Sequence, residues 1–183
     1  MYDVGIDTAV SYLEAMNVDP DHINADGPGL ALGTSGLTPL EMAACFATIA
    51  NMGTYLQPIS FTKITDRQGN VILDMVAEQE TKQIYKPSSA YQLIDMLYTA
   101  LNGGGSAQGA LMDGQTVCGK TGTNSDYRGV YFAGFTGYYV GSVWIGSDAY
   151  KPLRNAQGGT YAAPLWKDIM EPLHELSLIH ISE

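Results

Sequence analysis

The chain has few positive charges, few cysteines and no long apolar run. Nine Lys and Arg residues stand against 19 Asp and Glu, which gives a net charge of −10. A nucleic-acid-binding protein needs a basic surface to neutralise phosphates, and anionic membranes likewise attract basic segments. The charge balance therefore excludes nucleic acid as a partner and disfavours direct binding to an anionic membrane surface.

No apolar stretch reaches transmembrane length, and the first residues lack a basic segment followed by a signal-type core. If the protein works outside the cytoplasm, we expect its targeting segment to lie upstream of Met1. Neither the two cysteines nor the three histidines have metal-ligand spacing, so the sequence predicts no metal site and no cofactor. We expect two small buried thiols, with a reactive Cys118 as the minor alternative, and surface histidines at His22, His174 and His180.

Apolar residues at helical spacing predict the first two main helices. One covers residues 6–16. The next begins at a Thr38 cap, with Pro39 in its first turn and Glu41 completing a capping box. This second helix is apolar nearly all round, so we expect it to be buried.

Two further helices follow the same rules. One begins after Pro87 with a cap at Ser88 or Ser89, and the glycines of residues 103–105 end it. The other covers residues 162–173, and its inward-facing side chains are predicted to be Trp166, Ile169 and Met170.

Alternating patterns predict the strands. Residues 59–65 and 71–74 form a hairpin around a turn at 66–69, and three strands lie between residues 115 and 145. The predicted order is helices, then an antiparallel sheet, then a helix packed on that sheet. This order indicates the α+β class. Residues 1–175 form one domain piece, whereas residues 176–183 break the helical pattern and are expected to be a non-native or disordered tail.

The run Lys120-Thr-Gly-Thr123 is the most informative for chemistry. On a strand, Lys120 places an ammonium at a sheet edge, and the hydroxyls of Thr121 and Thr123 share one face. Gly122 permits a close approach by another backbone. Such an edge suits a carboxylate, can pair with an extended peptide, and offers N–H groups to an oxyanion.

This run resembles the Lys-Thr-Gly signature of the penicillin-recognising serine enzymes, whose other signatures are S-x-x-K and S-x-N. The flanking segments resemble class A, bifunctional penicillin-binding proteins, in chain order, from Val4 to about Leu173. These segments are residues 30–44, 47–53, 64–72, 131–136, 143–146 and 158–167. The chain is thereby identified as the C-terminal part of a transpeptidase domain, with part of the serine β-lactamase-like α+β fold.

The resemblance implies acyl transfer: a serine attacks the penultimate D-Ala carbonyl of a peptidoglycan stem peptide, and an amine of a neighbouring stem peptide resolves the acyl-enzyme. β-Lactams mimic D-Ala-D-Ala and trap the serine. Lys120 would be the catalytic residue present here, supplying positive field. Thr121, Gly122 and Thr123 would bind substrate, and the Thr123 N–H would form half of the oxyanion hole.

The resemblance also implies an upstream glycosyltransferase domain and a membrane anchor, and hence a place on the extracytoplasmic face of the bacterial cell membrane. Stem peptides and β-lactams would be the partners.

The nucleophilic serine and its lysine are missing from the sequence. The one S-x-x-K match, Ser60-Phe-Thr-Lys63, falls in the predicted hairpin strand, where the two side chains would point to opposite faces. S-x-N does not occur. In the family both motifs precede the segment resembling residues 4–18, so we expect an N-terminally incomplete domain that is inactive by itself.

Smaller departures stand at Asn124, Gly129 and Tyr131, where family members often have Thr, Asp and Trp. Two rival hypotheses stay open. One is a related D,D-carboxypeptidase or serine β-lactamase. The other is a non-catalytic module that binds peptidoglycan peptides or β-lactams and whose gene begins at Met1.

Overall fold

The computed structural model describes residues 3–149 and 151–180, and within them it has the predicted α+β architecture. The helices are α1 Ile6–Ala15, α2 Gly27–Leu32, α3 Pro39–Ala50, α4 Met75–Glu78, α5 Pro87–Asn102 and α6 Ala163–His180. The strands are β1 Thr54–Leu56, β2 Lys63–Thr65, β3 Val71–Asp74, β4 Thr81–Gln83, β5 Cys118–Thr123, β6 Gly129–Phe135 and β7 Val140–Gly146. A π-helical turn, Gly158–Ala162, leads into α6.

The main sheet has three antiparallel strands in the order β5-β6-β7, so β5 lies at an edge. Its register pairs Lys120 with Ala133 and Thr121 with Phe132. The predicted hairpin is confirmed as β2 and β3. Strands β1 and β4 form a further antiparallel pair that the sequence analysis missed, because three residues are too few to establish an alternating pattern.

Helix α3 begins with the predicted capping box. The Thr38 hydroxyl accepts the Glu41 N–H at 3.3 Å, and the Glu41 carboxylate accepts the Thr38 N–H at 2.8 Å. The expectation that this helix is buried holds for most of its length: Ala44, Cys45 and Thr48 are buried, and no residue from Glu41 to Ala50 is exposed. The helix contacts β6, β7, α5 and β1. Only its first turn departs from the expectation, where Leu40 is 65% exposed.

Helix α5 has no side-chain cap, so the predicted serine cap was wrong. The helix begins at Pro87, with Lys86 as the N-cap residue. The N–H groups of Ser89 and Ala90 both donate to the Lys86 carbonyl oxygen, at 2.9 and 3.0 Å. A proline in the first turn is thus sufficient to start the helix here. Gly103 ends it as predicted.

Helix α6 covers the main sheet. Trp166 and Met170 are 1% and 5% exposed, and the Trp166 ring packs edge-on against Phe132 with 5.1 Å between centroids. The Trp166 indole N–H donates to the Gly141 carbonyl oxygen at 3.1 Å. Ile169 was predicted to face inward but is 51% exposed, because it lies at the margin of the stripe that α6 turns toward the sheet.

Both thiols are buried, as predicted, and are free in the structure. Burial raises the pKa of the Cys45 thiol to about 12 and also raises the pKa of Cys118. A reactive Cys118 therefore has no support in the geometry, since the thiolate is the reactive form.

The predicted surface position of His174 was wrong. Its side chain is 4% exposed, with Nε2 lying 2.7 Å from the Thr136 hydroxyl and Nδ1 lying 2.8 Å from the Met170 carbonyl oxygen. His22 is half-buried against Glu41. Of the predicted foreign tail, 176–183, the backbone of residues 176–180 continues helix α6, and residues 181–183 lie outside the described residues.

Candidate functional site

The run Lys120-Thr-Gly-Thr123 forms the C-terminal part of the edge strand β5. Lys120 and Thr123 are exposed, and Thr121 and Gly122 are half-buried, so these residues do not face a packed interior. Among the described strands, none pairs with the other edge of β5. The edge therefore presents backbone groups and side chains to its surroundings.

The two threonines and the lysine leave the strand on opposite faces. Thr121 lies opposite Phe132, which packs against Trp166, so the threonine hydroxyls share the face that α6 covers. Lys120 lies opposite Ala133, on the other face. Its Nζ donates to the Thr121 carbonyl oxygen at 3.0 Å. We expected a row of hydroxyls beside an ammonium. The structure instead has two hydroxyls on one face of the strand, and the Lys120 ammonium reaches the strand from the opposite face.

The threonine hydroxyls open into a groove of about 390 Å³ between β5, the segment after α5 and the π-helical turn. The described residues that line it are polar or small, and none is an Asp, Glu, Lys, Arg or His. They are Gly105, Ser106, Gln108, Gly109, Thr121, Thr123, Tyr127, Gln157, Gly159 and Thr160. Hydrogen-bond donors and acceptors, rather than side-chain charges, line this space.

Each threonine hydroxyl has a partner behind it. The Ser106 and Thr121 hydroxyl oxygens lie 2.7 Å apart, and the Gly158 N–H donates to the Thr123 hydroxyl oxygen at 3.0 Å. A Cβ on Gly158 would lie 2.6 Å from the Tyr131 carbonyl oxygen and 2.8 Å from the Gly122 carbonyl oxygen. Only glycine allows this turn to pack so closely against the sheet.

Ser106 and Gly158 were missed as site residues in the sequence analysis. Both follow or form part of a glycine cluster, residues 103–105 and 158–159. The sequence alone predicts a helix stop at residues 103–105, with a groove-side loop as the functional alternative, and gives residues 158–159 only as part of a segment that resembles the family. The signal that could have identified them is that a glycine-rich segment lies on each side of β5 in the sequence.

Tyr131 connects this sheet to α3 on the other face. Its hydroxyl donates to the Leu37 carbonyl oxygen at 2.8 Å. Burial, followed by the nearby charge of Glu41, raises the pKa of Tyr131 to about 12. The phenol therefore stays protonated and acts as a structural donor that positions the start of α3.

The S-x-x-K match at Ser60 does not have the secondary structure that we expected. Ser60 lies in an exposed bend before β2, not within a strand, so the expected reason for its inactivity was wrong. The Lys63 ammonium is paired with the Asp74 carboxylate at 3.1 Å. The segment is not the start of a helix, and its lysine is held by another partner.

Within residues 3–149 and 151–180, no group of three or more His, Cys, Asp or Glu side chains is arranged to hold a metal ion. In the same part of the chain, no helix has the length and apolar character needed to cross a bilayer.

A sequence model of the penicillin binding protein transpeptidase domain matches residues 3–171. The chain belongs to this family. It is 35% identical over 174 residues to penicillin-binding protein 1A of Clostridium botulinum, an alignment that covers 93% of this chain and 21% of that protein. It is 37% identical over 143 residues to penicillin-binding protein 1A of Aquifex aeolicus, covering 78% and 19%.

Solved transpeptidase structures share the fold. Penicillin-binding protein 1A of Haemophilus influenzae superimposes with a TM-score of 0.77 at 25% identity, covering 92% of this chain and 31% of that one. PonA1 of Mycobacterium tuberculosis gives a TM-score of 0.75 at 22% identity, covering 90% and 47%. The resemblance to class A penicillin-binding proteins and the fold class are thereby confirmed.

The chain spans about a fifth of the length of the curated relatives, with 21% covered in the Clostridium botulinum protein. It is therefore a penicillin-binding transpeptidase-family chain that corresponds to part of those proteins.

Proposed function

We propose that the edge of β5 binds the terminal carboxylate of a peptidoglycan stem peptide ending in D-Ala-D-Ala, and the carboxylate of a β-lactam by the same contacts. The observation that carries this proposal is the pair of hydroxyls of Thr121 and Thr123 on one face of an edge strand, opening into a polar groove. A carboxylate only accepts hydrogen bonds, and bonds to a charged acceptor are stronger than neutral ones.

In this proposal the other residues of the run have distinct roles. Lys120 supplies positive field from the opposite face of the strand, and it contacts the proton network of the complete site. The Thr123 N–H forms half of an oxyanion hole, and Gly122 leaves room beside the strand for the substrate backbone. The free edge of β5 lets an extended peptide pair with the sheet.

The reaction of the complete domain is D,D-transpeptidation through a serine acyl-enzyme. We propose that the serine lies outside these 183 residues, because the single S-x-x-K match is in an exposed bend with its lysine bound to Asp74. The 183-residue chain is then inactive alone. In the longer protein, a glycosyltransferase domain and a membrane anchor place the site on the extracytoplasmic face of the membrane.

A fluorescent penicillin tests the absence of the nucleophile. The 183-residue chain should show no covalent label after denaturing electrophoresis, because no activated serine is present. Ser60→Ala serves as the control for adventitious reaction at the S-x-x-K match. Covalent labelling of the chain that disappears in Ser60→Ala would make Ser60 the nucleophile and overturn the proposal.

A further inference from the structure

We propose that Ser106 is a positioning residue that orients the Thr121 hydroxyl toward an incoming carboxylate. The inference rests on the proposed function of β5 and extends it to a residue outside the Lys120–Thr123 run. It starts from the 2.7 Å separation of the Ser106 and Thr121 hydroxyl oxygens within the groove.

The number of available hydrogens determines which hydroxyl of the Ser106–Thr121 pair donates. Each hydroxyl has one hydrogen to donate and can also accept. In the unliganded groove either hydroxyl can donate to the other. A bound carboxylate has no hydrogen to offer, so the Thr121 hydrogen must point at the ligand. Ser106 must then donate to Thr121, which gives a chain from Ser106 through Thr121 to the carboxylate.

Thr123 has an equivalent arrangement. The Gly158 N–H donates to its hydroxyl oxygen at 3.0 Å and can only donate. The hydrogen of the Thr123 hydroxyl must therefore point away from Gly158. Both threonines thus have a donor behind the oxygen, which polarises the hydroxyl and favours its donation to an anion.

Ser106 is held in place by its backbone. A Cβ on Gly105 would collide with the Ala100 carbonyl oxygen, and a Cβ on Gly159 would collide with the Ser106 carbonyl oxygen. The two glycines therefore let the backbone on either side of Ser106 pack tightly against α5 and the π-helical turn. A hydroxyl on such a fixed backbone loses little freedom when the ligand binds, and pre-organisation of this kind favours affinity.

The test uses an N-acylated peptide ending in D-Ala-D-Ala, with a free carboxylate or with a terminal amide. Both are titrated into the 183-residue chain, and the dissociation constants are measured by NMR. Ser106→Ala should weaken carboxylate binding by roughly fivefold to tenfold, the effect of one lost hydrogen bond, and leave amide binding unchanged. Ser106→Thr keeps the hydroxyl and should restore carboxylate binding.

Ser142→Ala is the matched control. Its hydroxyl donates to the Pro39 carbonyl oxygen at 2.6 Å, across the other face of the sheet. This variant removes a serine hydrogen bond of similar length without touching the groove, so both affinities should stay unchanged. The amide resonances of each variant report whether its fold is intact.

The outcomes separate this inference from the proposed function. Two outcomes overturn the role of Ser106 and leave the proposed function of β5 standing. In the first, Ser106→Ala weakens carboxylate and amide binding equally. In the second, Ser106→Ala weakens neither, although Thr121→Val weakens carboxylate binding. If the unmodified chain does not prefer the carboxylate, or Thr121→Val leaves that preference intact, the proposed function of β5 fails and the inference fails with it.

Discussion

The Lys120 ammonium lies 3.0 Å from the carbonyl oxygen of Thr121, although the Lys120 side chain leaves β5 on the face opposite the Thr121 hydroxyl. The positive charge therefore reaches the strand without occupying the hydroxyl-lined groove. In the proposed site, the lysine acts through the field at the strand edge and through groups on its own face, while the threonines make the direct contacts.

Replacing Lys120 tests this division of roles. In a longer protein that contains this chain together with an S-x-x-K serine, Lys120→Ala should slow acylation by a fluorescent penicillin by orders of magnitude, because a fixed positive charge near developing negative charge is lost. Lys120→Arg keeps the charge and should retain more activity. The measurement is the second-order labelling rate.

Lys167→Ala serves as the control for that experiment. Lys167 pairs with Glu171 at 3.4 Å on α6, away from β5, so its removal should leave the labelling rate unchanged. A Lys120→Ala rate within about threefold of the unmodified protein, equivalent to less than 1 kcal/mol, would remove Lys120 from the proposed machinery.

The second prediction concerns Glu41, which connects the start of α3 to the preceding loop. Its carboxylate accepts the N–H groups of Asp19 and Thr38 at 2.8 Å each, and it contacts the His22 ring at 2.9 Å. Burial alone would raise the pKa of Glu41, but these hydrogen bonds outweigh it and lower the pKa from 4.5 to about 2. The hydrogen bond to Glu41 raises the pKa of His22 above 6.5.

These two shifts act at opposite ends of the pH range. The Glu41 contribution to stability is present above its ordinary pKa of 4.5 and is lost as pH falls toward about 2. The His22 contribution is present below 6.5 and is lost as pH rises through the raised pKa of the folded state. The pair should stabilise the fold most between these two ordinary pKa values.

Denaturant unfolding across pH 2 to 8 measures this effect. Glu41→Gln should lower the free energy of unfolding by about 1–2 kcal/mol near pH 6, the typical effect of a lost cap and charged hydrogen bonds. It should also flatten the acid side of the profile. Glu14→Gln, at an exposed position on α1, is the matched control. Parallel pH profiles for Glu41→Gln and the unmodified chain would refute the assignment.

The third prediction separates the buried stripe of α6 from the margin of that stripe. Trp166→Ala should cost about 3–5 kcal/mol of unfolding free energy, because the indole is 1% exposed and packs against Phe132. Ile169→Ala should lower it by no more than about 1 kcal/mol, since that side chain is 51% exposed. Chemical denaturation of both variants provides the comparison, and similar losses for the two would place Ile169 in the core after all.

Local features of the fold were predictable from the sequence. The capping box at Thr38 and Glu41, the hairpin and the strand that carries Lys120 depend on neighbouring residues, so the sequence contains their full signal. The inward position of Ile169 was wrong because helical periodicity fixes only an angle around the axis. The packing partner of α6 determines which residues within that angle are covered.

Contacts between distant segments were not predictable. Ser106 meets Thr121 only because the segment after α5 folds back on β5, and Gly158 meets Thr123 only because the π-helical turn packs against the same strand. The buried His174 ring is hydrogen-bonded to the hydroxyl of Thr136, 38 residues earlier in the chain. The sequence shows each partner but contains no local signal for the pairing.

The most direct test of the account is a backbone NMR titration of the 183-residue chain with the acyl-D-Ala-D-Ala carboxylate and with its terminal amide. We predict chemical-shift changes centred on Thr121, Thr123 and Ser106 that saturate at lower concentrations of the carboxylate than of the amide. Equal responses to both ligands, or changes confined to residues away from β5, would contradict it.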